Sequence, residues 1–126
     1  MAGRVSGNRQ RYDWTYIPWI GASWYPLRLT SSTVVSEGRT PRYKNYGKRV
    51  ELTGQVAKTS GSFTTSAFAV ATLPAGSRPS TNKVFMVGDS TFKGARVAVL
   101  TSGQIQVHSA NNSSYVSLDG IAFDLD

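Results

Sequence analysis

From Leu27 onward, apolar residues recur at every second position, and no segment carries a helical repeat of useful length. That period commits the chain to strands with one face toward a core and the other toward water. Val50, Leu52, Gly54 and Val56 alternate with Glu51, Thr53, Gln55 and Ala57, which describes one half-buried strand. Leu27 and Leu29 flank Arg28 in a short strand, and Arg42 to Lys44 forms another before the Asn45-Tyr46-Gly47 turn. Ala67 to Thr72, Lys83 to Val87, Arg96 to Leu100, Gln104 to Ser109 and Tyr115 to Phe123 complete the series. Ser102-Gly103 reads as a two-residue hairpin loop, and Asp119-Gly120 as a bulge in the final strand. Thr30 to Thr40 and Lys58 to Thr65 are polar and read as connections. Seven to eight short strands punctuated by Gly and Pro predict an all-β fold, an antiparallel β-sandwich of jelly-roll-like kind. A single domain of 126 residues can bury a core without staples, which suits a chain with no cysteine.

The front of the chain has a different character. Residues 1–12 are polar and basic, too poor in apolar area to order themselves alone. An aromatic cluster follows (Tyr12, Trp14, Tyr16, Trp19, Trp24, Tyr25), broken by Pro18 and Pro26, and all three tryptophans fall within eleven residues. It reads as a packing segment more than a regular element. Residues 1–50 hold nine basic side chains against two acidic ones, whereas residues 51–126 hold five of each, so the net charge of +7 arises in the front part. The expected organisation is a basic, aromatic docking arm at 1–23, extended from a β-sandwich at 24–126. Arg4, Arg9, Arg11, Tyr12, Trp14, Tyr16, Trp19 and Trp24 are the candidate docking residues. Cations steer such an arm to acidic grooves, and indole rings anchor it in pockets.

Met1 reads as the start of a short complete product, and the lack of an apolar run before Ile17 argues against a secretory signal. No stretch approaches the roughly 20 apolar residues that cross a bilayer as a helix.

Reactive groups are sparse. The single histidine, His108, shares a polar face with Gln104 and Gln106, and Ser109 beside it points to the opposite face of the same strand. A triad of Ser109, His108 and Asp119 is therefore not expected, nor is any catalytic residue. Asp119, Asp124 and Asp126 form the one acidic grouping and read as a solvated chain end, so neither metal nor cofactor is expected. Asn112-Ser113-Ser114 matches a glycosylation acceptor, a pattern common by chance. Single-stranded nucleic acid is the rival partner, since Arg4, Arg9 and Arg11 lead into Tyr12, Trp14 and Tyr16. It is disfavoured because the later strands are electrically balanced and rich in Ser and Thr.

Two stretches carry a resemblance. Ala71-Thr72-Leu73-Pro74-Ala75-Gly76-Ser77-Arg78-Pro79 is followed by Tyr115-Val116-Ser117-Leu118-Asp119-Gly120-Ile121-Ala122-Phe123, with Arg42-Tyr43 and Arg49 to Gly54 ahead of them in the same order. This resembles a β-sandwich module of tailed-bacteriophage virion surface proteins, minor tail and tail-fibre proteins of actinobacteriophages among them. The resemblance covers about residues 24–123. Leu73, Pro74, Gly76, Arg78, Pro79, Tyr115, Leu118, Asp119, Gly120 and Phe123 are its fold-specifying residues, with Gly76 expected to supply a positive φ at a corner.

The resemblance implies a non-enzymatic virion structural protein on the particle exterior, made in the host cytoplasm. A capsid decoration protein or a minor tail protein would fit, self-associated as a homotrimer and docked on capsid or tail proteins through the arm. The alternative is a host-receptor or carbohydrate-binding tail tip, with Ser60 to Ser66 and Asn111 to Ser114 forming the site against a host cell-surface glycan.

Overall fold

The computed structural model describes residues 22–125, and twelve strands and one 3-10 turn account for its regular structure. In chain order the strands are β1 (Trp24–Pro26), β2 (Arg28–Leu29), β3 (Thr33–Val35), β4 (Arg42–Asn45), β5 (Arg49–Thr53) and β6 (Gln55–Lys58). They continue as β7 (Phe68–Thr72), β8 (Lys83–Val87), β9 (Ala95–Val99), β10 (Gln104–His108), β11 (Val116–Ser117) and β12 (Ala122–Asp124). Every pairing is antiparallel. The all-β sandwich predicted from the period of the chain is the fold observed.

One layer is a five-stranded sheet in the order β2-β7-β10-β9-β8. The other is built from the sheets β1-β4-β5-β12 and β11-β6-β3. These two are halves of one surface, because residues 49–58 run antiparallel to residues 116–124 through both. The break falls at Gly54, whose φ of +109° turns β5 into β6. A Cβ there would lie 2.4 Å from Pro41 Cα, so no other residue fits without moving backbone.

Opposite the break, four residues (118–121) face three (52–54), which is the one-residue excess of a bulge. The Asp119-Gly120 bulge is thus present, although it divides the final strand in two. Breaks of this kind raise the strand number above the seven or eight expected. Between the layers lies an apolar core that includes Val50, Leu52, Val56 and Phe123 from one side and Val70, Val97, Val99, Ile105 and Val107 from the other.

Four sequence expectations need correction. Trp24 to Pro26 is a true strand, paired with Arg42 to Lys44, where an irregular segment was expected. Thr33 to Val35 pairs with β6 inside a stretch read as loop. The β9–β10 hairpin has a three-residue loop, Thr101 to Gly103, because Leu100 N–H donates to Gln104 O and Gly103 N–H to Leu100 O. Gly103 takes the left-handed φ of +89° that such a loop needs in third place. Finally, the corner after β7 is a 3-10 turn over Ala75–Ser77, and Gly76 is not among its positive-φ glycines.

That corner is fixed by other means. Arg78 Nε donates to Leu73 O at 2.9 Å, and Leu73 N–H donates to Gly103 O at 2.8 Å, tying it to the hairpin tip. Asn45 Nδ2 reaches Gly76 O at 3.1 Å and Ser77 Oγ at 2.9 Å. Leu73, Ser77 and Pro79 are buried.

Candidate functional site

Strand register sorts the connections onto two ends of the sandwich. β7 runs from Phe68, opposite Val107, to Thr72, opposite Gln104. The Leu73–Pro79 corner and the Thr101–Gly103 loop therefore share one end, and Asn45 joins them there. Trp24, paired with Lys44, and Leu125, whose N–H donates to Lys48 O, lie at this end too. Trp24 and Leu125 thus lie at the same end of the sandwich, toward opposite edges of the β1-β4-β5-β12 sheet.

Four connections lie at the opposite end, residues 30–32, 59–67, 88–94 and 109–115, and the last three are braced to one another. Phe63 and Ser113 exchange backbone hydrogen bonds at 2.8 and 3.1 Å, and Ser109 N–H donates to Thr64 O at 2.7 Å. Ser114 N–H donates to Ser90 Oγ, and Asn111 Nδ2 to Gly94 O.

Their common fastening is Asp89, only 5% exposed. Its Oδ1 accepts from Thr91 N–H (3.1 Å), Thr91 Oγ1 (2.8 Å) and Gly94 N–H (3.2 Å). Its Oδ2 accepts from Ser113 Oγ and from Ser109 Oγ, the latter at 3.4 Å. Burial alone would push this carboxyl up, but the hydrogen bonds from Ser113, Thr91 and Gly94 outweigh it and hold the pKa at about 2. The sequence reading missed Asp89. A lone Asp after Gly88 carries no signal until Ser109 and Ser113 are brought to it.

Beyond Asp89 the loop turns outward at Phe92, which has φ +62° and is 93% exposed. A bulky residue rarely adopts that backbone geometry. An aromatic ring is thus held in water on a braced loop, at a cost in backbone strain of about 1–3 kcal/mol. Across the outer face of the five-stranded sheet, Met86, Arg96 and His108 form a row over β8, β9 and β10. They line an open cleft of about 370 Å³ together with Thr65 and Gly94.

His108 therefore faces this cleft, while Ser109 is buried and bonded to Asp89 and Ser113. The two do not form a catalytic pair, as strand alternation requires. Among the described residues no group of three metal-ligating side chains occurs.

At the other end, Trp24 is 38% exposed, and Lys44 Nζ lies 5.5 Å from its ring and 5.2 Å from that of Tyr46. Trp24 is the one candidate docking residue within the described span; Arg4, Arg9, Arg11, Tyr12, Trp14, Tyr16 and Trp19 lie outside it. Arg28, Arg42, Lys44 and Arg49 sit on strands of the sandwich, so the basic excess is shared between body and front segment. Asp119 is exposed, as expected of a solvated residue, but it is not free. It pairs with Arg39 and accepts from Thr53 Oγ1 (2.6 Å) and Gly54 N–H (2.8 Å). Against the upward push of burial, those contacts hold its pKa below the usual carboxylate value.

The architecture so defined is an antiparallel sandwich with its described chain limits at one end and three cross-braced loops at the other. It is similar to the crystal structure of the receptor binding protein (gp15) of Listeria phage PSA, with a TM-score of 0.66 over 84% of this chain and 66% of that one. The chain thus spans just under two thirds of that protein's length, at 23% sequence identity, a likeness of fold. No protein-family model matches the chain, and comparison with curated proteins gives no match.

Proposed function

We infer that the chain is a non-enzymatic bacteriophage virion protein on the particle exterior, associated with the tail, that turns its loop end toward the host. The observation carrying this reading is the polarity of the sandwich: Trp24 and the described chain limits lie at one end, and the Asp89-braced loops present Phe92 at the other. The fold shared with a phage receptor binding protein supports it. Residues 1–23, with Arg4, Arg9, Arg11, Trp14 and Trp19, serve in this reading as the arm that docks on other virion proteins. A capsid decoration protein would use the same arm and differ in location.

Two measurements test the reading. Imaging of particles carrying a label on residue 1 is expected to place the protein on the tail; label on the capsid shell would support decoration instead. Deleting residues 1–12 is expected to abolish incorporation into particles while leaving the unfolding midpoint of the purified protein unchanged. Truncated protein that still reaches normal occupancy would remove the arm from the account.

A further inference from the structure

We propose that the open edge of β8 takes an added strand from a second copy of this chain, its Asp13-Trp14-Thr15-Tyr16-Ile17 segment, with the Trp14 ring against Phe85 and Phe123. That segment lies outside the described residues, and its sequence sets Trp14 and Tyr16 on one parity and Asp13 and Thr15 on the other. Each copy then holds the next, which leaves residues 1–12 for the docking proposed above.

The acceptor is defined by its backbone. Leu100 N–H donates to Gln104 O, so even-numbered residues along β9 turn their main-chain groups toward β10 and odd-numbered ones toward β8. Val99, Val97 and Ala95 pair with Lys83, Phe85 and Val87, which leaves the N–H and C=O of Val84 and Met86 pointing out of the sheet. Gly88, two residues on, shows the same parity: its O accepts from Ser117 N–H at 2.9 Å, on the side away from β9. A sheet edge of this kind is a template for one more strand.

Among the described edge strands β8 is also the least guarded against such pairing. The others (β1, β2, β3, β11 and β12) are two or three residues long, and β1 carries Pro26, β2 Arg28 and β12 Asp124. β8 has five residues, no proline and no charge beyond Lys83, and it shows Val84 at 56% and Met86 at 73% exposure. Between β8 and β12 runs an open cleft of about 290 Å³, lined by Phe85 and Phe123. The seam is shut at the loop end, where Ser90 N–H donates to Tyr115 O and Asp89 bridges to Val116. The cleft lies toward the other end, where Lys83 and Asp124 also line it and where Trp24 leads back to the donor segment.

One register suits both partners. Laid antiparallel, Asp13 and Thr15 exchange ladder bonds with Met86 and Val84, while Trp14 falls opposite Phe85 and Tyr16 opposite Lys83. The aromatic pair then turns inward to the cleft and the polar pair outward to water. Asp13 and the exposed Arg96 flank Met86, so opposite charges share the outer face. Reach assigns the donor to a second copy. Trp24 stands on β1, beside β2, and crossing from β2 to the place beyond β8 covers five strand spacings, about 24 Å. The seven steps from Ile17 to Trp24 span at most about 25 Å when straight, which leaves nothing for rounding the Leu73–Pro79 corner. A neighbour that presents its β1 and β2 edge to β8 has no such gap to cross, and both copies then point the same way.

The test uses the full-length protein, whose lack of cysteine makes every introduced thiol unique. Asp13→Cys and Met86→Cys proteins, mixed and oxidised, are expected to form a mixed disulfide, since directly paired residues lie within bridging distance. Asp13→Cys mixed with Ser60→Cys, at the far loop end, is expected to cross-link about tenfold more slowly or less. In sedimentation the unaltered protein is expected to self-associate as its concentration rises. Met86→Pro removes an outward N–H and no bond to β9, so it is expected to weaken association about tenfold or more while unfolding stays cooperative. Trp14→Ala lies outside the sandwich and is expected to weaken association as much with the unfolding midpoint unchanged, which decides the matter should Met86→Pro fail to fold.

Protein that stays monomeric at millimolar concentration would overturn the proposal, as would association that Trp14→Ala leaves unaltered. Cross-linking to Ser60→Cys as fast as to Met86→Cys would overturn it too, since that is chance collision. Protein carrying both Asp13→Cys and Met86→Cys separates the sources: disulfides between copies support the proposal, and a disulfide closed within one chain would overturn it. All of this is read on purified protein, so it stands or falls apart from the tail-associated reading.

Discussion

Asp89 keeps its charge while buried because five donor contacts from two loops converge on it. Replacing it with Ala would leave Thr91 N–H, Thr91 Oγ1, Gly94 N–H and one of the two mutually bonded serine hydroxyls without an acceptor. The expected loss is about 2–4 kcal/mol of stability, measured by denaturant unfolding. The sign with pH follows from the depressed pKa. The contribution is present above the ordinary value of 3.8 and is lost as pH falls through about 2. That shift corresponds to about 2 kcal/mol. Unfolding measured between pH 4 and pH 2 should therefore show a falling stability whose slope is shallower in Asp89→Ala; equal slopes would mean Asp89 is not the group responsible. At this scale the sequence was least informative. Leu73, Leu118 and Phe123 were singled out as fold-specifying residues by the resemblance, and all three are buried. Asp89 was not, because its donors come from residues 91–113 and only the assembled loops show the convergence. Phe92 was invisible for a related reason: an exposed aromatic looks in sequence like a buried one.

The elements follow the two-residue period where both neighbours are regular strands, as in β8, β9 and β10, whose predicted bounds differ from the observed ones by a residue or so. Periodicity fails at the crossings between sheets. Residues 50–56 alternate without interruption, yet Gly54 swings the chain so that β5 and β6 pair with different partners. Gly54 carries no side chain to break the pattern, and its role depends on Pro41 and Thr40 lying against it. Gly54→Ala would meet Pro41 Cα and Thr40 O at 2.4 and 2.6 Å while also straining a φ of +109°. A loss of about 2–5 kcal/mol is expected in equilibrium unfolding. A change below 1 kcal/mol (about a fivefold change in the folded ratio) would show that the kink relaxes and does not pin the two half-sheets. Gly76→Ala is the matched control. It has open space around its Cβ position and lies outside the positive-φ glycines, so less than about 1 kcal/mol should be lost.

The molecule as a whole has a direction, and that direction makes the functional reading testable without knowledge of the partner. Lys48 lies at the end that holds the described chain limits, against Leu125, whereas Ser60 lies in the loop cluster at the far end; both are exposed. The chain has no cysteine, so Lys48→Cys and Ser60→Cys each introduce a unique thiol. Neither substitution touches the core, and a stability change within about 0.5 kcal/mol is expected for both. In the free protein the two thiols should react with a maleimide dye at similar rates, since both side chains face water. On intact particles the rates should separate: Ser60→Cys remains reactive and Lys48→Cys slows by tenfold or more, because docking at the arm end covers it. Protection of Ser60→Cys with Lys48→Cys left open would reverse the orientation and place the braced loops, with Phe92, in the attachment interface. Equal reactivity on particles would mean that attachment covers neither end, as a tether through residues 1–23 alone would allow.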